Sequence, residues 1–113
     1  MEAYWEERRQ FPRVTLKTPL RCQIRGKSEY SNVVTDDVSE GGVSFINDSF
    51  IPLNTQVNLE ISLLSRILNA VGRVANVSSV SYADKYRLGI EFLELQDTQK
   101  LFLSDYIQLK KGL

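Results

Sequence analysis

Strict alternation of apolar and polar side chains, in three separate stretches, constrains this chain more than any other feature. In the first, Leu16, Leu20, Cys22 and Ile24 share one side, with Lys17, Arg21, Gln23 and Arg25 on the other. In the second, Val57, Leu59, Ile61 and Leu63 alternate with Gln56, Asn58, Glu60 and Ser62. The third sets Tyr86, Leu88, Ile90 and Phe92 against Lys85, Arg87, Gly89 and Glu91. A period of two places successive side chains on opposite faces of an extended strand, so each stretch predicts a strand with one buried face. Shorter β-rich runs lie near Tyr30–Thr35, Val43–Ile46 and Leu68–Val77, and Pro19 marks an edge or a break in the first strand.

Six short strands separated by turn residues fit a small barrel or sandwich, and closure into a barrel removes exposed edges. The period changes near the C-terminus. From Asp97 to Lys110 a helical wheel gathers Phe102, Leu103, Tyr106, Ile107 and Leu109 on one face, with Asp97, Ser104, Asp105 and Gln108 opposite; Leu101 is the exception. Asp97 suits a helix start, Lys110 and Lys111 a helix end, and Gly112 a stop. The expected fold is therefore mainly β: a six-stranded antiparallel β-barrel with a C-terminal α-helix packed across it. A chain of 113 residues fits one such domain. Residues 13–113 are assigned to the barrel and its helix, and residues 1–12 to a polar leader expected to be mobile without ligand.

Composition excludes several classes of function. There is no histidine, which removes the commonest general base and metal ligand, and one cysteine cannot supply a usual structural zinc site. No nucleophile–base pair is evident, so an enzyme is not expected. No apolar run approaches the roughly 18 residues of a membrane span. The polar N-terminus lacks a signal-peptide core, and the single thiol fits a reducing compartment, so a cytoplasmic monomer is expected.

Net charge is zero, yet the stretch from Arg8 to Ser28 holds seven cations and no acid. One basic edge on a neutral protein fits a compact anion better than a nucleic acid polymer. Two local features bear on that anion. Arg8-Arg9-Gln10-Phe11-Pro12-Arg13 precedes the first strand, and Pro12 holds Phe11 in extended geometry. Arginine forks grip phosphate or the O6/N7 edge of guanine, although a charge run alone more often marks a solvated leader. The second is Asp37-Val38-Ser39-Glu40-Gly41-Gly42. The adjacent glycines permit positive φ or close backbone approach, Asp37 can accept from guanine, and Ser39 can donate. A tight hairpin turn would use the same residues.

Taken together, Arg9–Arg13 followed by Asp37–Gly42 resembles the PilZ domain family. Tyr86-Arg87-Leu88-Gly89-Ile90-Glu91-Phe92 is similar to that family's last strand, and an amphipathic helix follows. The resemblance runs from about Glu7 to Leu109. It implies a bacterial receptor for the second messenger cyclic di-GMP. Arg8, Arg9 and Arg13 would hold phosphates and guanine edges, and Asp37, Ser39, Gly41 and Gly42 would line the opposing wall. An arginine at Arg8 is associated in the family with an intercalated pair of ligands. The resemblance also implies an output through an effector protein. A PilZ-like adaptor that binds no nucleotide is the alternative. Where some members place an aromatic side chain beneath a purine, Arg73–Ser79 offers none; Arg73 could stack there or be solvated.

Overall fold

The computed structural model describes residues 11–81 and 83–112. The strands are β1 (Arg13–Thr15), β2 (Pro19–Ile24), β3 (Ser31–Ser39), β4 (Gly42–Asn47), β5 (Gln56–Leu63), β6 (Arg66–Ser79) and β7 (Tyr86–Leu95); a helix, α1 (Asp97–Lys111), follows. Every pairing is antiparallel. The order β3-β2-β5-β6-β7-β4 closes where β4 returns to β3. The result is the expected six-stranded barrel with C-terminal helix, plus one short extra strand, β1. Closure leaves no long edge to pair with another chain.

The three alternating stretches fill the interior as their period demands. Val57, Leu59, Ile61 and Leu63 are all buried, as are Leu20, Cys22, Leu88 and Ile90, and Leu16, Ile24, Tyr86 and Phe92 pack against them. Burial pushes the Cys22 thiol up to about 12. Ionising that thiol would cost the fold, so it stays neutral and behaves as a small apolar side chain.

The first alternating stretch is interrupted at Leu16–Thr18, just before Pro19. β1 pairs with β3 over Arg13↔Ser39 to Thr15↔Asp37, and β2 pairs with the same edge from Pro19↔Val34 onward. Thr35 bridges the gap from inside. Its hydroxyl donates to the Leu16 carbonyl and accepts from the Thr18 N–H at 3.0 Å, while its own N–H donates to the Thr18 carbonyl at 2.9 Å. A buried hydroxyl thus replaces the ladder bonds that the break removes.

Strand β3 carries a second irregularity at the same level. Thr35 faces Phe45 and Asp37 faces Ser44, so Asp36 is an extra residue with no counterpart on β4. Before this bulge, Val33 and Thr35 point inward and Val34 is exposed; after it, Val38 is in the core. One inserted residue reverses the alternation and turns Asp37 and Ser39 to the outer face.

Helix α1 packs on β1 and β3. Leu103 and Ile107 are buried, with Phe102 and Tyr106 against the core. Leu109, expected on the buried face, is exposed, as is Leu101; the buried stripe of the helix is narrower than the wheel implied and centres on Leu103 and Ile107. Gly112 keeps a right-handed conformation and donates to the Gln108 carbonyl, so no left-handed stop forms. No helix among the described residues is long and apolar enough to cross a membrane.

Candidate functional site

The described end of the first segment, residues 11–13, meets the Asp37–Gly42 segment on the outer face of the barrel, where β1, β3 and β4 run together. Arg13 opens β1 directly beside Ser39, and its Nη1 lies 2.5 Å from Oδ1 of Asp37. Both side chains are largely sheltered, with 19% and 31% of their side-chain surfaces exposed, so the pair sits in a partly desolvated cleft and not in open water. Such pairs resist screening better than exposed ones.

The turn between β3 and β4 is built by Ser39. Its Oγ accepts from the N–H of Gly41 at 3.1 Å and of Gly42 at 3.2 Å, the hydroxyl-to-backbone pattern of a tight turn. Neither glycine adopts positive φ, contrary to one of the two expectations; their function is close approach. A Cβ on Gly41 would stand 2.6 Å from the Phe11 ring, and one on Gly42 would stand 2.1 Å from the Ile90 carbonyl oxygen. Gly42 thereby lets β4 lie tightly on β7. Gly41 gives the Phe11 ring a flat seat, which draws the chain leading into Arg13 over the Asp37–Gly42 turn.

The structure therefore brings together Arg13, Asp37, Ser39, Gly41 and Gly42. Arg8 and Arg9 lie outside the described residues, as does Trp5. Two residues were not anticipated here. Phe11 is the side chain that fills the space above Gly41. Ser44 stands across the ladders from both Asp37 and Gly89, and its buried hydroxyl has no hydrogen-bond partner among the described residues. No sequence signal marks Ser44, because its neighbours are set by strand register alone.

Charge at the site differs from the linear tally. Antiparallel neighbours supply acids for two further cations of the stretch: Lys17 meets Asp36 at 2.7 Å and Arg21 meets Glu60 at 3.2 Å, while Arg25 reaches the neutral Gln56 at 3.0 Å. Asp36 is also gripped by Arg87 from β7. Burial pushes the Asp36 carboxyl up, but the hydrogen bonds and charges of Lys17 and Arg87 outweigh it and hold the group below its ordinary 3.8. Arg73 does not stand free in solvent. It bonds Glu91 and reaches Asn54 at 2.6 Å, one strand beyond Gly42, which pairs with Glu91. Among the described residues no cluster of histidine, cysteine or carboxylates could hold a metal ion.

The sequence profile of the PilZ domain matches residues 7–109. The chain belongs to the PilZ domain family. Solved structures of the same fold include the Bacillus subtilis inhibitor of motility MotI/DgrA, with a TM-score of 0.81 at 16% identity. Another is YcgR from Escherichia coli in complex with c-di-GMP, with a TM-score of 0.74 at 18% identity. A third is the MrkH–c-di-GMP complex of K. pneumonia, with a TM-score of 0.70 at 18% identity. These alignments cover 92%, 93% and 92% of this chain but 51%, 47% and 51% of the others, so the chain spans about half their length. At such identities the likeness establishes the fold. A search of the curated proteins gives no match. Arg13 and the Asp37–Gly42 turn lie within the residues that the PilZ profile matches.

Proposed function

We propose that this PilZ domain is a non-enzymatic receptor for cyclic di-GMP that reports ligand occupancy to a partner protein. The observation that carries the reading is the Arg13–Asp37 contact on the outer face of the barrel, beside the Ser39-built turn. Family membership supports it, as do two fold neighbours whose structures were solved with c-di-GMP.

The chemistry is complementary at each end of the ligand. The Arg13 guanidinium offers a planar fork to a phosphate or to the O6/N7 edge of guanine. Asp37 is an acceptor for guanine N–H groups, and Gly41 and Gly42 complete the turn beside it. Arg8 and Arg9 are assigned the remaining phosphates. With Arg8 present, the expected occupant is an intercalated pair of ligands, whose four negative charges call for more than one arginine. Binding exchanges the Arg13–Asp37 contact for contacts to ligand and draws the N-terminal segment against the barrel. That change of surface is what an effector protein would read. The domain is assigned to the cytoplasm as a monomer.

Isothermal titration with cyclic di-GMP tests the reading. Saturable binding with two ligands per chain is expected. A flat titration overturns the receptor assignment, and saturation at one ligand per chain overturns only the intercalated pair.

A further inference from the structure

We infer that Asp36 is a positioning residue of this site, a role that rests on the ligand reading of Asp37. Asp36 is the extra residue of the β3 bulge, and the clasp that Lys17 and Arg87 close on it holds Asp37 and Ser39 outward beside Arg13.

Strand parity sets the first constraint. Thr35 faces inward with Phe45 as its partner, and the next inward residue of an unbroken strand would be Asp37. The inserted residue makes it Val38, which pairs with the core residues Val14 and Val43. A carboxylate turned into that core would be heavily penalised, so β3 needs an extra residue somewhere before Val38. Parity alone does not say where that residue lies or at what angle the strand leaves it. Placement of Asp37 within reach of one particular guanidinium is a matter of angstroms.

Asp36 supplies that placement through three connections. Its carbonyl accepts the Leu16 N–H at 3.1 Å, which ties the bulge to the end of β1. Oδ1 takes Lys17 from the break between β1 and β2, and Oδ2 takes Arg87 from β7. The two arms pull the carboxylate along opposite directions across the sheet. A bulge held at its side chain from both flanks cannot swivel freely, and its successor Asp37 inherits that restraint. Asp36 itself contacts neither Arg13 nor the turn.

Coulomb's law makes a contrary prediction for its removal. Taking an acid away from beside a site for an anionic ligand should tighten binding, all the more because Lys17 and Arg87 are released. A positioning residue should weaken it instead. The sign of the effect therefore separates the two roles.

The test is titration of the full chain and its Asp36→Ala variant with cyclic di-GMP, well below the melting temperature, beside Glu60→Ala. Glu60 pairs with Arg21 away from the site, so it removes the same charge without touching the bulge. Expected is a loss of about tenfold for Asp36→Ala, the size of coupling between neighbouring residues, and no change for Glu60→Ala. Unchanged or tighter binding by Asp36→Ala overturns the inference. If that variant does not fold, Asp36→Asn removes the charge that holds both arms while keeping the side-chain size, and it should weaken binding by a smaller factor. Unchanged or tighter binding overturns the inference, and Lys17→Ala and Arg87→Ala, which each open one arm, serve only the ligand-free readout. A ligand-free readout guards against failure of the receptor reading itself. The Arg13 Nη protons should be slowly rotating and resolved by NMR in the parent chain, and averaged in Asp36→Ala or the single-arm variants. If the parent chain binds no cyclic di-GMP, the function falls while this readout still decides the positioning role.

Discussion

Strands β5 and β3 are nearly equal in length and differ in kind. β5 alternates without interruption from Gln56 to Leu63, and every second residue is buried. β3 starts with one parity and ends with the other, and its two halves pair with different strands on one edge. The regular strand serves the core alone. The irregular one carries Asp37 and Ser39, and its bulge is held by side chains that contribute nothing to the interior. Regularity and the candidate site are thus separated along the sheet: the residues that could not alternate correctly in a plain strand are the ones turned to the outer face of the barrel.

Mutations on the two strands should have opposite signatures. The largest stability loss is expected in β5. Ile61→Ala removes most of a fully buried side chain and should cost about 2–5 kcal/mol in equilibrium urea unfolding, while the ligand affinity of the folded fraction stays unchanged. A parallel loss of affinity would mean that core and site are coupled after all. Gly42→Ala comes next, since its Cβ would collide with the Ile90 carbonyl oxygen where β4 meets β7. Steric overpacking of this kind costs about 1–3 kcal/mol, and because Gly42 is also in the turn, binding should fall with it.

Arg13→Ala should reverse that ratio. Loss of one forked contact is worth about 1–3 kcal/mol, so cyclic di-GMP affinity should drop roughly 10- to 100-fold by calorimetry. The stability loss should be smaller than for Ile61→Ala, because no core side chain is removed. Wild-type affinity in this variant would remove Arg13 from the site. The smallest effect is in pH dependence. Asp36 has a lowered pKa in the fold, so its clasp contributes fully above the ordinary value of 3.8 and is lost as pH falls through the lower folded value. The stability difference between the parent chain and Asp36→Asn should therefore be constant from neutral pH to about pH 4 and shrink below it. A difference that grows on acidification would contradict the clasp.

What could be seen in the sequence follows the same division. β5 and the inward residues of β2 and β7 are legible because burial on one face imposes a period of two. Even the interruption ahead of Pro19 announces itself, since proline cannot donate to a ladder. The bulge does not. Asp36-Asp37 reads as two consecutive acids at a strand end, and only pairing with Phe45 and Ser44 reveals that one of them is supernumerary. The glycine pair was visible as a place of unusual freedom, but whether that freedom is used for positive φ or for close packing depends on Phe11 and on the Ile90 carbonyl. The cationic stretch from Arg8 to Ser28 misleads in the same way, because the acids that answer it lie 19 to 39 positions away.

Local periodicity was enough to determine the strands and the helix, because burial of one face is written in residues near one another in the chain, and the order of the motifs pointed to the family. The tertiary structure alone decided that Arg13 meets Asp37, that Asp36 is the inserted residue, and that Lys17 and Arg21 of the basic stretch are already paired with acids. Those outcomes are set by strand register, and register is a property of distant segments once they lie side by side.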